Sequence, residues 1–562
     1  MNDIAARLHT ATEQLCQPGA PYEIETRQSG DTELRFYKNA PPTLRALLEP
    51  GRGFGAQEFL VYQDQRLSFD DFFSRADALA HYLVSEINTS KGDRIAIAMR
   101  NNPEWMIAYY AIVSVGAVVV PLNSWGSADE LGYGLSDSMA KLVICDQARF
   151  DTITAAPNEL SCQTILVGAT GPTDSLSFEE IISANLGAAM PEVACESDDI
   201  AQIMYTSGTT GRPKGAVSSH GNICQAIFSF EFHGTCSAMA NPEAIGKMFS
   251  TGFAPCTLLS VPLFHVSGCY AAFLLNLRAG RKTVMMYKWS AEDALKLIEK
   301  ERVTIFSAVP SMVVDLLRHP NFKTTDTTSL FSIGGGGTAC PPSFKNTITE
   351  NLGDAYVGTG YGMTETNAIG ASCTGDAYFY KPKSAGTLSP LVEWQTRSPE
   401  GGILPKGEVG EIWLKSACNI TAYWNKPEAT AENFENGWMA TGDIGYLDDE
   451  NFVFLVDRAK DLIIRGGENI YPAEIEACLS QHSAIADSAI IAVPDERLGE
   501  TPGAVIRIRQ GAELSETEVK AHLADKLAAF KQPSHIWFIK DEMPRNAAGK
   551  ILKRDLVQRF VK

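Results

Sequence analysis

Basic charge is scarce in this 562-residue chain: 48 Lys and Arg stand against 67 Asp and Glu, for a net charge of −19. That balance argues against a general nucleic-acid binder, which needs positive charge to meet phosphate. Paired cysteines are lacking as well. The twelve cysteines show no CxxC or metal-finger spacing, which speaks against a disulfide framework and points to a reduced, cytoplasmic protein. The opening Met-Asn-Asp-Ile-Ala-Ala-Arg has no apolar core of the kind a signal peptide carries. Long hydrophobic runs are almost absent. The one that resembles a transmembrane span, residues 106–122, falls short of the ~20 residues a bilayer requires. It also contains Ser114, Gly116 and Pro121. The sequence predicts a buried helix there, broken at Gly116 and followed by a short strand over 117–120. Internal repeats and low-complexity linkers are missing too.

What is present is ordinary for a globular protein, with 45% hydrophobic and 20% charged residues. The length allows about three or four domain-sized units. Helix and strand signals alternate. Ser68 and Asp71 form a capping box before apolar positions Phe72, Ala76, Leu79 and Leu83 on one helical face. A turn at Lys91-Gly92-Asp93 leads into a strand over 94–99, and Asn102-Pro103 opens the next helix. Such alternation predicts an α/β fold with largely parallel sheets. A boundary falls near 457–461. Beyond it, residues 459–562 carry 15 basic and 15 acidic residues, so the whole net charge lies in the first 458. Residues 540–562 hold seven basic and three acidic residues, a locally positive end. The pattern there predicts a compact α+β unit: a helix from Pro472 through Leu479, strands over 489–493 and 504–508, and a helix capped by Ser515 and Glu518.

The most informative segment is Tyr205-Thr-Ser-Gly-Thr-Thr-Gly-Arg-Pro-Lys-Gly215, which follows a strand over 203–204. Glycines let amide N–H groups approach phosphate oxygens, hydroxyls donate, and Lys214 supplies charge. No GxxxxGK[ST] is present, so this is not a Walker A loop. Tyr361-Gly-Met-Thr-Glu365 brings together a ring able to stack on a base and a carboxylate suited to Mg²⁺. Gly334-Gly-Gly-Gly337 permits close approach of a flat group. Taken singly, Asp443 is a turn residue, His265 a packed core histidine and Lys550 a solvated surface charge.

Together these segments resemble the adenylate-forming superfamily: acyl-CoA synthetases, 4-coumarate-CoA-type ligases, luciferases and adenylation domains. The loop at 205–215 is close to that family's signature. The resemblance recurs at Pro262-Leu-Phe-His265, Gly334–Gly337, Tyr361–Glu365 and Tyr423-Trp-Asn-Lys-Pro-Glu428. It continues at Thr441-Gly-Asp443, Asp457-Arg-Ala-Lys460, Gly466-Gly-Glu-Asn469 and Pro544-Arg-Asn-Ala-Ala-Gly-Lys550. It therefore covers the chain from about residue 200 to its end, and the first 200 residues less specifically.

The resemblance implies a large N-terminal domain, residues 1–458, of two α/β sheet subdomains plus a β-barrel-like portion. A small mobile α+β domain, 459–562, follows. It implies an AMP-forming carboxylic acid:CoA ligase acting on a fatty or other alkyl or aryl acid, with ATP, Mg²⁺ and coenzyme A. Catalysis would fall to Lys550, Thr364, Glu365 and His265. Phosphates would be held by Thr206, Ser207, Gly208, Thr209, Thr210 and Lys214. Adenine would lie at Gly335, Gly336, Gly337 and Tyr361, and the ribose at Asp443 and Arg458. Lys460 would be the hinge, bringing Gly466 and Gly467 to the site for thioester formation. Glu365 and Thr210 would hold the metal. Amino-acid-activating relatives carry Asp where His265 stands, so an α-amino acid is disfavoured. Transfer to a separate carrier-protein thiol, and a catalytically inactive nucleotide-binding scaffold, are the alternatives. The twelve residues after Lys550 in this sequence favour the expectation of a free acceptor such as coenzyme A. A homodimer is compatible; nucleic acid and a transmembrane segment are not expected.

Overall fold

The computed structural model describes residues 3–155, 162–168, 176–206, 212–337, 344–353, 355–466, 468–524, 526–546 and 549–561. Among these, the strands form sheets of fourteen, eight and five, plus the two-stranded hairpin Ile24–Ser29 and Thr32–Tyr37. Capping decides where several helices begin. Ser68 and Asp71 form the expected box at the start of Phe69–Ser85, and the Asn102 side chain accepts the Trp105 N–H at 2.9 Å to open Pro103–Ser114. That second helix is buried on nearly every side. It ends before Gly116, whose φ of +71° an L side chain resists, and Val118–Pro121 then enters a sheet as a strand. Among the described residues, no helix is long and apolar enough to cross a membrane.

The eight-stranded sheet is parallel through Arg94–Ala98, Val118–Pro121, Leu142–Asp146 and Gln163–Val167. Ile200–Thr206 joins its Val118–Pro121 edge in parallel, then pairs antiparallel with Lys214–Ser219. The segment 207–211, between these two strands in sequence, lies outside the described residues. The largest sheet has a parallel half: Glu58–Tyr62, Lys282–Met285, Cys256–Leu259, Ile305–Ala308, Ser332–Gly335 and Tyr356–Tyr361. Tyr356–Tyr361 also pairs antiparallel with Ala371–Thr374. From there antiparallel strands continue through Gly386–Leu388, Phe452–Arg458, Trp438–Leu447 and Gly410–Lys415. The portion expected to be barrel-like is thus continuous with the parallel half, because both edges of Tyr356–Tyr361 are taken by neighbours.

The five-stranded sheet lies in the last hundred residues, built on Ile485–Asp495 and Gly499–Ile508. Helices Pro472–Leu479, Glu516–Ala524 and Lys553–Phe560 accompany it. Its buried apolar side chains form clusters of their own. Asp457, at the end of the largest sheet, accepts the Ala473 N–H at 2.8 Å and so caps the helix Pro472–Leu479.

Candidate active site

Tyr361 ends its strand with a buried ring. Its hydroxyl donates to Asp443 Oδ2 at 2.8 Å, and Arg458 Nε lies 2.5 Å from Asp443 Oδ1. The arrangement follows from register: Asp443 faces Arg458 across the antiparallel pair Trp438–Leu447 and Phe452–Arg458. The Thr441 hydroxyl accepts the Asp443 N–H at 3.1 Å and donates to the Ile412 carbonyl at 2.8 Å. Asp443, only 5% exposed, is therefore a buried carboxylate with a fixed direction, both oxygens engaged by donors.

Lys550 reaches this cluster from the far end of the chain. Its N–H donates to Asn546 Oδ1 at 2.9 Å, and the Asn546 N–H donates back to the Lys550 carbonyl at 2.9 Å. Burial, together with Arg458 and Lys460, lowers the ammonium pKa from 10.5 to about 8, while Asp443 and Asp461 act in the opposite sense. The loop and the glycine-rich strand end both approach Val309. A Cβ added at Gly549 or at Gly337 would lie 3.7 Å and 3.9 Å from the two methyls of Val309. Lys460 occupies the turn Ala459–Asp461, and burial lowers its pKa also.

A second constellation surrounds Glu365, in the single turn Thr364–Thr366. The carboxyl group is buried, which raises its pKa, and it accepts the Tyr423 hydroxyl at 3.0 Å. Lys214 Nζ lies 4.9 Å from the centroid of the same Tyr423 ring. Strand pairing makes this possible, since Ala422–Tyr423 hydrogen-bonds to Lys214–Ser219. Thr206 faces Lys214 across the phosphate-loop strands. Ser207, Gly208, Thr209 and Thr210 lie outside the described residues, as does Gly467. Among the described residues no three His, Cys, Asp or Glu side chains converge as a metal site. A divalent cation beside Glu365 would thus draw its other ligands from phosphate, water and hydroxyls.

Residues 49–424 match the AMP-binding enzyme family, and residues 474–550 match its C-terminal domain. The chain belongs to the AMP-binding enzyme family. It is 34% identical to the long-chain-fatty-acid–CoA ligase FadD13 of Mycobacterium tuberculosis, over 94% of this chain and 97% of that protein. It is 31% identical to the 2-succinylbenzoate–CoA ligase of Bacillus cereus, over 92% and 97%. The structure of o-succinylbenzoate CoA synthetase from Bacillus subtilis, in complex with its acyl-adenylate intermediate, superimposes with a TM-score of 0.76 at 30% identity. That match covers 91% of this chain and 97% of the other.

In this AMP-binding enzyme the remaining expected residues are placed as follows. Gly335 and Gly336 end the strand beside Gly358–Thr359, and the Gly336 N–H donates to the Ala308 carbonyl at 3.1 Å. Gly337 has a φ of +78°, a conformation that explains glycine at that position. His265 caps the short helix Val266–Gly268 and packs its ring 4.5 Å from that of Phe264. Burial pushes its pKa down to about 4, so the imidazole is neutral at pH 7. It does not join the Asp443 cluster or the Glu365 turn by a direct hydrogen bond. Gly466 sits at a hairpin tip of the small sheet, its N–H donating to Leu498 at 2.7 Å. It belongs to a different neighbourhood from Lys550 here.

Two features went unrecognised in the sequence. Tyr423 lies inside a segment that carried family resemblance, yet its hydroxyl-to-carboxylate contact needs a partner 58 positions away. The other is a cationic, aromatic patch at the strand ends. Arg100 stacks 4.8 Å from the Trp125 ring and 5.4 Å from Tyr287, and Arg149 donates to the Tyr287 hydroxyl at 3.3 Å. The neighbouring Asn101 accepts the Leu263 N–H at 3.0 Å and donates to the Val261 carbonyl at 2.9 Å. The patch therefore adjoins the Pro262–His265 segment.

Proposed function

We propose that this AMP-binding enzyme is an AMP-forming ligase that joins a carboxylic acid to coenzyme A. The observation that carries the proposal is the buried Asp443 carboxylate, bound by Tyr361 and Arg458, with the Lys550 ammonium near enough to feel their charges. A carboxylate is a poor electrophile, so its oxygen first attacks the α-phosphorus of ATP and pyrophosphate leaves. The acyl-adenylate then reacts at its carbonyl carbon with the coenzyme A thiolate, and AMP leaves. Lys550 supplies a positioned ammonium where negative charge gathers on the α-phosphoryl oxygens.

The other roles follow the chemistry of each group. Asp443 takes the ribose hydroxyls with Arg458, and the Tyr361 ring and Gly335–Gly337 flank the adenine. Thr206, Ser207, Gly208, Thr209, Thr210 and Lys214 hold the phosphates. Mg²⁺ would be held by Glu365 and Thr210, where it would offset phosphate charge. Thr364 sits beside that carboxylate. Arg100, stacked on Trp125 and Tyr287, offers the phosphates of coenzyme A a cation next to the acyl side, while the buried Arg149 beside it pairs with Asp146. Residues 1–458 would carry adenylation. Residues 459–562 would turn about Lys460, withdraw Lys550 and bring Gly466 and Gly467 to the thiol. The described cysteines are all free thiols, which favours a reduced, cytoplasmic setting.

The neutral His265 offers no counter-charge to an α-ammonium group, which favours a fatty, alkyl or aryl acid. Relatives at 34% and 31% identity are named for a long-chain fatty acid and for 2-succinylbenzoate, so overall similarity does not choose among them. The test is acid-dependent pyrophosphate release across octanoate, palmitate, benzoate, 4-coumarate, 2-methylbutanoate and phenylalanine. At least one non-amino acid should stimulate release and phenylalanine should not. Stimulation by phenylalanine alone would overturn the assignment.

A further inference from the structure

We propose that Asn367 is a positioning residue for Glu365, and that it ties the Glu365 turn to the helix following His265. Asn367 comes two residues after Glu365 and has a φ of +50°, followed by Ala368 at +68°. Two consecutive non-glycine residues in the left-handed region are costly and persist only where surroundings impose them. The imposing contacts are those of the Asn367 side chain, which is 1% exposed. Its Oδ1 accepts the Ser218 hydroxyl at 2.9 Å and the Tyr270 hydroxyl at 3.0 Å, and its Nδ2 donates to the Cys418 carbonyl at 2.8 Å.

Each partner belongs to a different part of the site. Ser218 lies on the strand that begins at Lys214. Tyr270 is five residues after His265. Cys418 opens the segment whose Ile420 N–H donates to the Glu365 carbonyl at 2.9 Å and whose Tyr423 hydroxyl reaches the Glu365 carboxylate. The chain of bonds has one consistent direction. Tyr109 donates to Gln202 Oε1 at 2.9 Å, Gln202 Nε2 donates to the Tyr270 oxygen at 2.6 Å, and the Tyr270 hydroxyl in turn donates a hydrogen bond to Asn367 Oδ1. All these side chains are buried, so an unpaired member would be expensive and the amide has one satisfied orientation. Asn367 thus fixes the backbone just after Glu365 and the Cys418 segment that reaches it, while the strand Lys214–Ser219 and the helix after His265 share its oxygen.

The inference rests on the proposed role of Glu365 as a Mg²⁺ ligand, and the experiment separates the two. Asn367→Gly keeps the positive φ and removes the amide; Tyr270→Phe removes one hydroxyl and keeps the ring. Three quantities are measured. They are kcat for adenylation with the best acid of the panel, the Mg²⁺ dependence of α,β-methylene-ATP binding by calorimetry, and thioester formation from supplied acyl-adenylate. Asn367→Gly should lower adenylation kcat roughly 10–100-fold, as expected for a reacting group displaced by about an ångström. It should also raise the Mg²⁺ requirement and leave the thioester step within about twofold, since the lost contacts bear on adenylation. Tyr270→Phe should act in the same direction more weakly, and the double variant should be less than additive. Equal losses in both half-reactions, or an unchanged adenylation kcat in both single variants, would overturn the positioning role. Should Asn367→Gly fail to fold, Tyr270→Phe and Ser218→Ala carry the same comparison. An unchanged Mg²⁺ requirement in Glu365→Gln overturns the metal assignment alone.

Discussion

Tyr423 places its hydroxyl 3.0 Å from the Glu365 carboxylate while its ring lies under the Lys214 ammonium. One aromatic side chain therefore links the lysine proposed for the phosphates to the carboxylate proposed for the metal. The contact is a hydrogen bond to an acid whose pKa burial has already raised. Removing the hydroxyl in Tyr423→Phe takes away a donor to the ionised form, so the Glu365 pKa should rise further. Adenylation should then weaken toward acidic pH at a higher pH than in the parent, and Glu365→Gln should need more Mg²⁺ at every pH. Measuring adenylation against pH and Mg²⁺ checks both. Identical profiles in all three proteins would show that the pair is structural.

Lys550 has a pKa lowered to about 8, and it must be protonated to stabilise phosphoryl charge. Its active form is fully present well below that pH and is lost as pH rises through it. The kcat/KM for ATP in adenylation should accordingly fall above about pH 8, the pKa of the free enzyme governing that constant. Lys550→Arg should remove the alkaline limb, because guanidinium stays charged. Lys550→Ala should slow adenylation by at least roughly 10²–10³. Thioester formation from supplied acyl-adenylate should be largely spared. Equal damage to both steps would refute the assignment.

The stacked Arg100 offers a test of the acceptor. Arg100→Gln removes a charge facing Trp125 and Tyr287 and should raise KM for coenzyme A about tenfold, the scale of one charge-assisted hydrogen bond. KM for ATP should stay the same. A change confined to ATP would move the patch to the nucleotide.

Val309, within 4 Å of where a Cβ at Gly337 or Gly549 would stand, gives a way to hold the small domain still. Val309→Cys with Gly549→Cys is the pair to bridge, since a Cβ at 549 would lie 3.7 Å from a Val309 methyl. The bridged protein should make acyl-adenylate and pyrophosphate yet transfer little to coenzyme A, and reduction should restore transfer. Full thioester activity with the bridge intact would mean that residues 459–562 need not move.

Much of this was legible in the sequence because the signals were local. The capping box at Ser68, the break at Gly116, the helix at Pro472 and the order of the motif segments all depend on residues within a few positions. The Tyr361–Asp443–Arg458 contact brings together residues that family resemblance had already singled out. What was illegible depends on distant register. Asp457, beside Arg458 in sequence, faces the other way and caps a helix of the small sheet. Asn367 reads as an ordinary polar residue until strand Lys214–Ser219, Tyr270 and Cys418 are folded around it. The barrel-like portion was expected within the large domain, but antiparallel pairing leaves no trace in the sequence of which sheet edge it joins.

The most direct test is a single turnover with enzyme in excess over radiolabelled ATP and the best acid of the panel, with and without coenzyme A. Without coenzyme A, acyl-adenylate should accumulate stoichiometrically with pyrophosphate and little free AMP. Adding coenzyme A should convert it to equal amounts of AMP and acyl-CoA. Free AMP appearing at the same rate with and without coenzyme A, and no acyl-CoA formed, would contradict the ligase assignment.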